Sequence, residues 1–221
     1  MSKVVPTKPL LIMLYGFPGS GKSYVARQLS DHIKAAHVQG DRIRTELFSN
    51  PKYDKAENNV INQLMDYMTE EFLNAGISVI YDANALRSAQ RHQMREMARK
   101  CQAKPLVIWV QIDVDSAYLR TQQRDRRKTD DRYAVSVDQK LFDNIASHMQ
   151  NPANTEDYVV VSGKHVFNTQ LGAIMKKLND MGVVRIDDTK TGVAKPELMN
   201  LVPNPTAGRV DMNRRRNIVI R

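Results

Sequence analysis

Gly16-Phe-Pro-Gly-Ser-Gly21-Lys22-Ser23 holds the densest chemical information in the chain. Glycine, four residues, glycine, lysine and then serine is the spacing of a phosphate-binding loop. A loop that wraps a phosphate must turn several backbone N–H groups inward. That requires glycine wherever a side chain would obstruct or φ is positive. Lys22 is expected to reach the β- and γ-phosphates, and the Ser23 hydroxyl to ligate Mg²⁺. A helix opening near Lys22 adds its positive end to the same place. The expected nucleotide contacts are Gly16, Gly19, Ser20, Gly21, Lys22, Ser23 and Tyr24, with ATP and Mg²⁺ as the ligands. The alternative is a chance glycine-rich turn. This one follows an apolar strand and opens a helix, which is the context a phosphate loop needs.

Further charged residues fall where they can serve the same chemistry. Gly40-Asp41-Arg42-Ile43-Arg44 opens a charged helical stretch; Asp41 there is either a functional carboxylate or a helix cap. Asp82 closes the apolar run Ile77-Ser-Val-Ile-Tyr, followed by Ala83 and Asn84. A carboxylate at the carboxyl end of a parallel strand lies on the ligand-binding edge of a sheet, whereas a turn residue is the plainer reading. Arg120, Arg124 and Arg127 are spaced by four and then three, which puts them on one face of a helix. Such a face is either a set of anion contacts or a solvated basic surface.

The elements that must carry these residues alternate between short apolar runs and amphipathic stretches. Strands are predicted at 10–15, 37–39, 77–81, 105–112 and 158–161. Helices are predicted from 22 to about 36, and at about 42–48, 54–75, 88–101, 116–127, 136–149 and 169–181. Asp54 and Glu57 have capping-box spacing ahead of 54–75, and Gly76 stops that helix. Ser88 is the expected cap of 88–101, and Gly182 closes the last helix. The pattern implies an α/β fold, a doubly wound parallel sheet with a C-terminal appendage. The predicted domains are a phosphate-loop unit over 1–182 and a basic extension over 183–221. Residues 183–186 and 217–220 are candidate short strands within that extension.

The 221 residues suit one well-buried core with a small appendage. A net charge of +9 and a pI near 9.7 fit either a polyanionic partner or a soluble protein that is simply basic. The tail arginines Arg209, Arg214, Arg215, Arg216 and Arg221 suit RNA or DNA, or a solvated terminus. The single cysteine, Cys101, excludes an internal disulfide and a cysteine-based zinc site, and reads as a packing residue. The histidines lack metal-ligand spacing, so no metal beyond Mg²⁺ is expected. No run approaches the ~20 apolar residues of a membrane span, and the first residues do not read as a signal peptide. A cytoplasmic protein is expected.

Over about residues 10–181 the sequence resembles the AAA_33 or polynucleotide 5′-kinase-like phosphate-loop kinases, with zeta toxins and chloramphenicol phosphotransferase as more distant relatives. The resemblance implies that Asp41 is the general base and that Arg44 holds a substrate phosphate. It implies that Asp82, in place of the family's Asp-Ala-Thr acid, holds Mg²⁺; Asn84 departs from the usual threonine. It implies a phosphate-loop NTPase fold of the kinase type, a kinase-like domain over 1–182 with a helical lid at about 115–150. Arg120 and Arg124 would be lid arginines that neutralise charge during transfer, Arg124 also contacting the nucleotide. Ser162-Gly163-Lys164 would border the adenine. The expected reaction is phosphoryl transfer from ATP to a hydroxyl, preferably the 5′-hydroxyl of a nucleic acid. A small-molecule kinase is the alternative, and an ATP-hydrolysing switch a further one. Neither the acceptor nor the oligomeric state follows from the sequence.

Overall fold

The computed structural model describes residues 3–84, 87–125, 132–133 and 137–184. The strands are β1 (Leu10–Tyr15), β2 (Ala35–Gln39), β3 (Ser78–Asn84), β4 (Lys104–Gln111) and β5 (Tyr158–Ser162). They form one five-stranded parallel sheet in the order β2–β3–β1–β4–β5. The helices are α1 (Lys22–His32), α2 (Gly40–Leu47), α3 (Lys55–Asn74), α4 (Ser88–Lys100), α5 (Val114–Gln122), α6 (Gln139–Ser147) and α7 (Phe167–Asp180). Among the described residues no helix is long and apolar enough to cross a membrane.

Alternation along β1 explains the layering. Leu10, Ile12 and Leu14 share a core with Val25 and Leu29 of α1 and Ile174 and Leu178 of α7. Leu11, Met13 and Tyr15 share another with Ile61 and Met65 of α3 and Met94 and Ala98 of α4. Successive residues of a strand face opposite ways, so a strand covered on both faces reads as an unbroken apolar run. A smaller cluster of Ala117, Val137 and Phe142, with Phe17 packed on it, joins α5 and α6 to the loop after β1. The carboxyl ends of all five strands therefore share one edge, where α/β proteins bind ligands.

Several boundaries differ from the sequence reading. α1 stops at His32, and Ala35 and Ala36 instead pair with Ser78 and Val79 of β3. Tertiary pairing here overrides the helical preference of alanine. β3 continues through Asn84, so Asp82 lies within the strand, opposite Gln39, rather than in a turn beyond it. Asp54 caps α3 by accepting the Glu57 N–H at 2.8 Å. Glu57 does not close the box; its carboxylate takes Arg44 and the Lys52 N–H. Ser88 is the first residue of α4, not its cap, which is Arg87. α5 ends at Gln122, with Gln123 as its cap, so Arg124 lies past the helix rather than on its face. Arg127 falls outside the described residues, as does the tail from 185. Val183 and Val184 form no strand; both are buried, directly after the positive φ of Gly182.

Candidate active site

The loop between β1 and α1 is built from the backbone up. Gly19 has φ +80°, and a Cβ there would collide with the carbonyl oxygen of Ala117 on α5. Only glycine meets both demands. Gly21 caps α1 without a side-chain bond, leaving the first-turn N–H groups for a ligand. Ser20 is fully buried, and its hydroxyl has no partner among the described residues. An unpartnered buried hydroxyl beside open N–H groups fits a phosphate.

Lys22 folds back across the loop, donating to the carbonyls of Gly16 at 3.0 Å and Phe17 at 2.8 Å. Burial lowers its pKa to about 8, with Asp82 and Asp41 opposing the shift and Arg124 adding to it. Three of the expected site residues thus lie within electrostatic reach of the loop lysine.

Ser23, one position along α1, donates its hydroxyl to Asp82 Oδ1 at 3.2 Å. Asp82 is 6% exposed, and its other oxygen, Oδ2, lies 3.0 Å from His37 Nε2 on β2. Two hard oxygens, a hydroxyl and a carboxylate, meet beside the phosphate loop, a donor pair that suits Mg²⁺. Among the described residues no group of three or more histidine, cysteine or acidic side chains is placed to hold a metal ion, here or elsewhere.

Asp41 sits in the first turn of α2, whose cap is Gln39; the helix-cap alternative for Asp41 is therefore not what the chain adopts. Burial raises the Asp41 carboxyl above its usual range, Asp82 raises it further, and Arg44, Arg124 and Lys22 act against both. A carboxylate with a raised pKa in a partly dry, charged site is a candidate proton acceptor.

Arg44 is placed differently. It is 7% exposed and pairs with Glu57 of α3 while donating to Asn58 Oδ1 at 2.7 Å. The Tyr53 ring lies 4.5 Å from the guanidinium carbon. Arg44 therefore clamps α2 to α3 and carries Asp41 with it. Arg120 donates to the Gly163 carbonyl at 2.8 Å, tying α5 to the turn after β5. Lys164 in the same turn pairs with Asp113 at 2.5 Å. Lys164 and the Ser116 groups hold that carboxyl well below the usual range. A Cβ on Gly163 would collide with the Ser20 carbonyl oxygen, so this turn rests directly on the phosphate loop. Tyr24 faces elsewhere, edge-on to Phe167 at 6.4 Å with Arg27 over its ring. Asn84 ends β3, and its buried Oδ1 has no partner among the described residues.

A cleft of about 710 Å³ opens at the carboxyl ends of β4 and β5, beside the phosphate loop rather than over Lys22. Phe17, Trp109, Ile112, Ser162, Lys164 and Gln170 are among its walls. It has the size and mixed lining of a small-molecule site.

Two groups escaped the sequence reading. His37 was visible only as a histidine near a strand end. Arg91 of α4, fully buried, binds Glu156 through Nε at 2.8 Å and Nη2 at 3.1 Å. Arg91 also donates to the Asn151 carbonyl at 3.3 Å and lies 5.2 Å from the centre of the Tyr15 ring. The Tyr15 hydroxyl in turn donates to Asn151 Oδ1 at 2.9 Å. Tyr15 is the last residue before the loop, so this network anchors the loop's root.

Residues 11–152 match the model of the AAA_33 family, an AAA domain. No curated protein matches the chain. Among solved structures, Chaetomium thermophilum Kti12 in complex with ADP-AlF3 is 15% identical at a TM-score of 0.59, covering 79% of this chain and 99% of its own. The Mycobacterium tuberculosis APS kinase CysC, in complex with AMPPNP and APS, is 18% identical at 0.56, over 79% and 99% of the two chains. The Pnkp1/Rnl/Hen1 RNA repair complex is 19% identical at 0.54, over 64% of this chain and 44% of that one. At these identities the likeness is one of fold.

Proposed function

The chain belongs to the AAA_33 family of AAA domains, and from that premise we propose that it transfers the γ-phosphoryl group of ATP to a hydroxyl, with the 5′-hydroxyl of a nucleic acid as the preferred acceptor. The observation that carries this reading is the gathering of Lys22, Ser23, Asp82 and Asp41 at one edge of the sheet, linked by a hydrogen bond and by mutual charge.

Phosphoryl transfer needs positioning and charge neutralisation more than covalent chemistry. Lys22 supplies a cation to the β- and γ-phosphates. Mg²⁺, when bound, neutralises phosphate charge, and Ser23 and Asp82 are the residues that would hold it. Asp41 orients the acceptor hydroxyl and takes its proton. Arg124, whose charge is felt at both Lys22 and Asp41, counters charge developing on the transferred group. Arg120 acts through the Gly163 turn that walls the cleft, and the cleft takes the nucleoside of ATP.

The nucleic-acid acceptor is supported by the net charge of +9 and by the Asp41-x-x-Arg44 spacing. One observation favours a second reading, a small-molecule hydroxyl. Arg44, the residue expected to hold a substrate phosphate, is already engaged by Glu57 and Asn58.

The test is transfer of labelled γ-phosphate to a 5′-hydroxyl oligonucleotide and to a panel of small hydroxyl compounds, using wild type, Lys22→Ala and Asp41→Asn. Labelled oligonucleotide from wild type, absent with either variant, is the expected result. Label on a small hydroxyl alone moves the acceptor to the second reading. ATP turnover with no labelled acceptor in either set overturns the kinase reading.

A further inference from the structure

We infer that His37 is a positioning residue for Asp82: it holds Oδ2 from β2 so that Oδ1 stays turned toward Ser23. The inference rests on the reading of Ser23 and Asp82 as the Mg²⁺-holding pair.

The carboxylate of Asp82 is almost closed to solvent, and its oxygens are divided between a partner on α1 and one on β2. Oδ1 accepts the Ser23 hydroxyl at 3.2 Å, while Oδ2 lies 3.0 Å from His37 Nε2. A carboxylate oxygen only accepts, so the facing ring nitrogen must carry the hydrogen. The register explains why β2 reaches it. Gln39 pairs with Asp82 and His37 with Ile80, so the His37 ring needs to lean only two residues along the sheet toward its edge. Side chains two apart on a strand share a face.

Without His37, two things change. Oδ2 becomes a buried acceptor with no donor, and the last torsion of Asp82, which is intrinsically broad, loses its tether. Donors behind a metal-binding carboxylate orient it, and their removal typically weakens metal binding about 10- to 100-fold. His37 does not need to touch the nucleotide or the metal for this. Its side chain is 22% exposed, against 4% for Asp82, so it can be replaced with less disturbance of the core.

The experiment titrates Mg²⁺ into the full-length protein with a fluorescent, non-hydrolysable ATP analogue and reads bound fluorescence. Wild type, His37→Phe, His37→Gln and Asp82→Asn are compared, with thermal unfolding of each as the folding control. In His37→Phe the half-saturating Mg²⁺ concentration should rise about 10- to 100-fold, with Mg²⁺-free analogue binding unchanged. His37→Gln, which restores an N–H donor, should recover most of the loss. If His37→Phe does not fold, His37→Ala is titrated in its place. A raised Mg²⁺ requirement in Asp82→Asn beside a wild-type one in His37→Phe overturns the role of His37 alone. Wild-type Mg²⁺ dependence in Asp82→Asn overturns the metal-pair reading, and this inference with it.

Discussion

The Ser23 hydroxyl donates to Asp82 Oδ1 at 3.2 Å, joining the first turn of α1 to the carboxyl end of β3 across 59 residues of sequence. Two oxygens that sit on separate elements are thereby held together by the parallel pairing of β1 with β3.

If Ser23 and Asp82 act as one unit, their substitutions should not add. Ser23→Ala and Asp82→Asn, singly and together, should show a coupling of about 0.5–3 kcal/mol in Mg²⁺-dependent binding of an ATP analogue. Titration calorimetry with and without Mg²⁺ checks this. Additive losses would mean the two side chains serve independent contacts.

Asp41 should trade stability for activity. Its carboxyl is raised by burial first and by Asp82 second, so the folded chain holds that proton more tightly than the unfolded chain does. The associated stability is fully present below the ordinary carboxylate range and is lost as pH rises through the raised pKa. At neutral pH the ionised Asp41 therefore works against the fold. Asp41→Asn should raise Tm at pH 7.5 and abolish transfer, and the gain in Tm should vanish near pH 4. In wild type, kcat/KM should fall as pH drops through the raised pKa, because the proton acceptor must be ionised. Melting curves at both pH values and a pH–rate profile decide the matter.

How much of this was legible depended on distance along the chain. The phosphate loop is local: its glycines, lysine and serine are contiguous, and backbone geometry dictates their order. The α/β layering was legible for a similar reason, because an unbroken apolar run such as β1 makes sense only between two layers of helices. Contacts made by folding were not. His37 and Asp82 are 45 residues apart, and Arg91 and Glu156 are 65 apart. A buried arginine inside SAQRHQMREMARK looks like any solvated one. Helix ends misled for a different reason. Residues after Gln122 have adequate helical propensity, but propensity is weak and does not set where packing against the phosphate loop stops. Arg44 shows the same limit, since its spacing from Asp41 says nothing about Glu57 on the next helix.

The turn after β5 offers a sharper test of the nucleotide side. Gly163 rests against the Ser20 carbonyl and is gripped by Arg120. Gly163→Ala must push the turn off the loop, an overpacking of about 1–3 kcal/mol. Affinity for ATP should fall about tenfold or more, measured by fluorescence titration. Arg120→Ala should raise KM for ATP with kcat largely kept. A fall in kcat at unchanged KM would instead assign Arg120 to the transferring phosphate.

The buried pair of Arg91 and Glu156 should be costly to break and cheap to replace. Both side chains are almost wholly out of water, at 0% and 1% exposure, and meet through two hydrogen bonds. Removing one charge strands the other where water cannot reach it. Glu156→Gln should therefore destabilise the fold by about 3–5 kcal/mol. Replacing both, as Arg91→Met with Glu156→Leu, removes the stranded charge and should recover most of that loss. Recovery of stability need not restore binding. The guanidinium also supports the Tyr15 ring and the Asn151 carbonyl, and Asn151 receives the Tyr15 hydroxyl one residue before the loop begins. Burial pushes the Tyr15 phenol up, so it remains a donor at neutral pH. The double variant should thus melt close to wild type in denaturant titrations yet bind ATP more weakly, because the root of the loop has lost its brace. Equal stability with unchanged ATP affinity would confine the pair to the scaffold, and a double variant no more stable than Glu156→Gln would mean the pair itself, not the stranded charge, carries the stability.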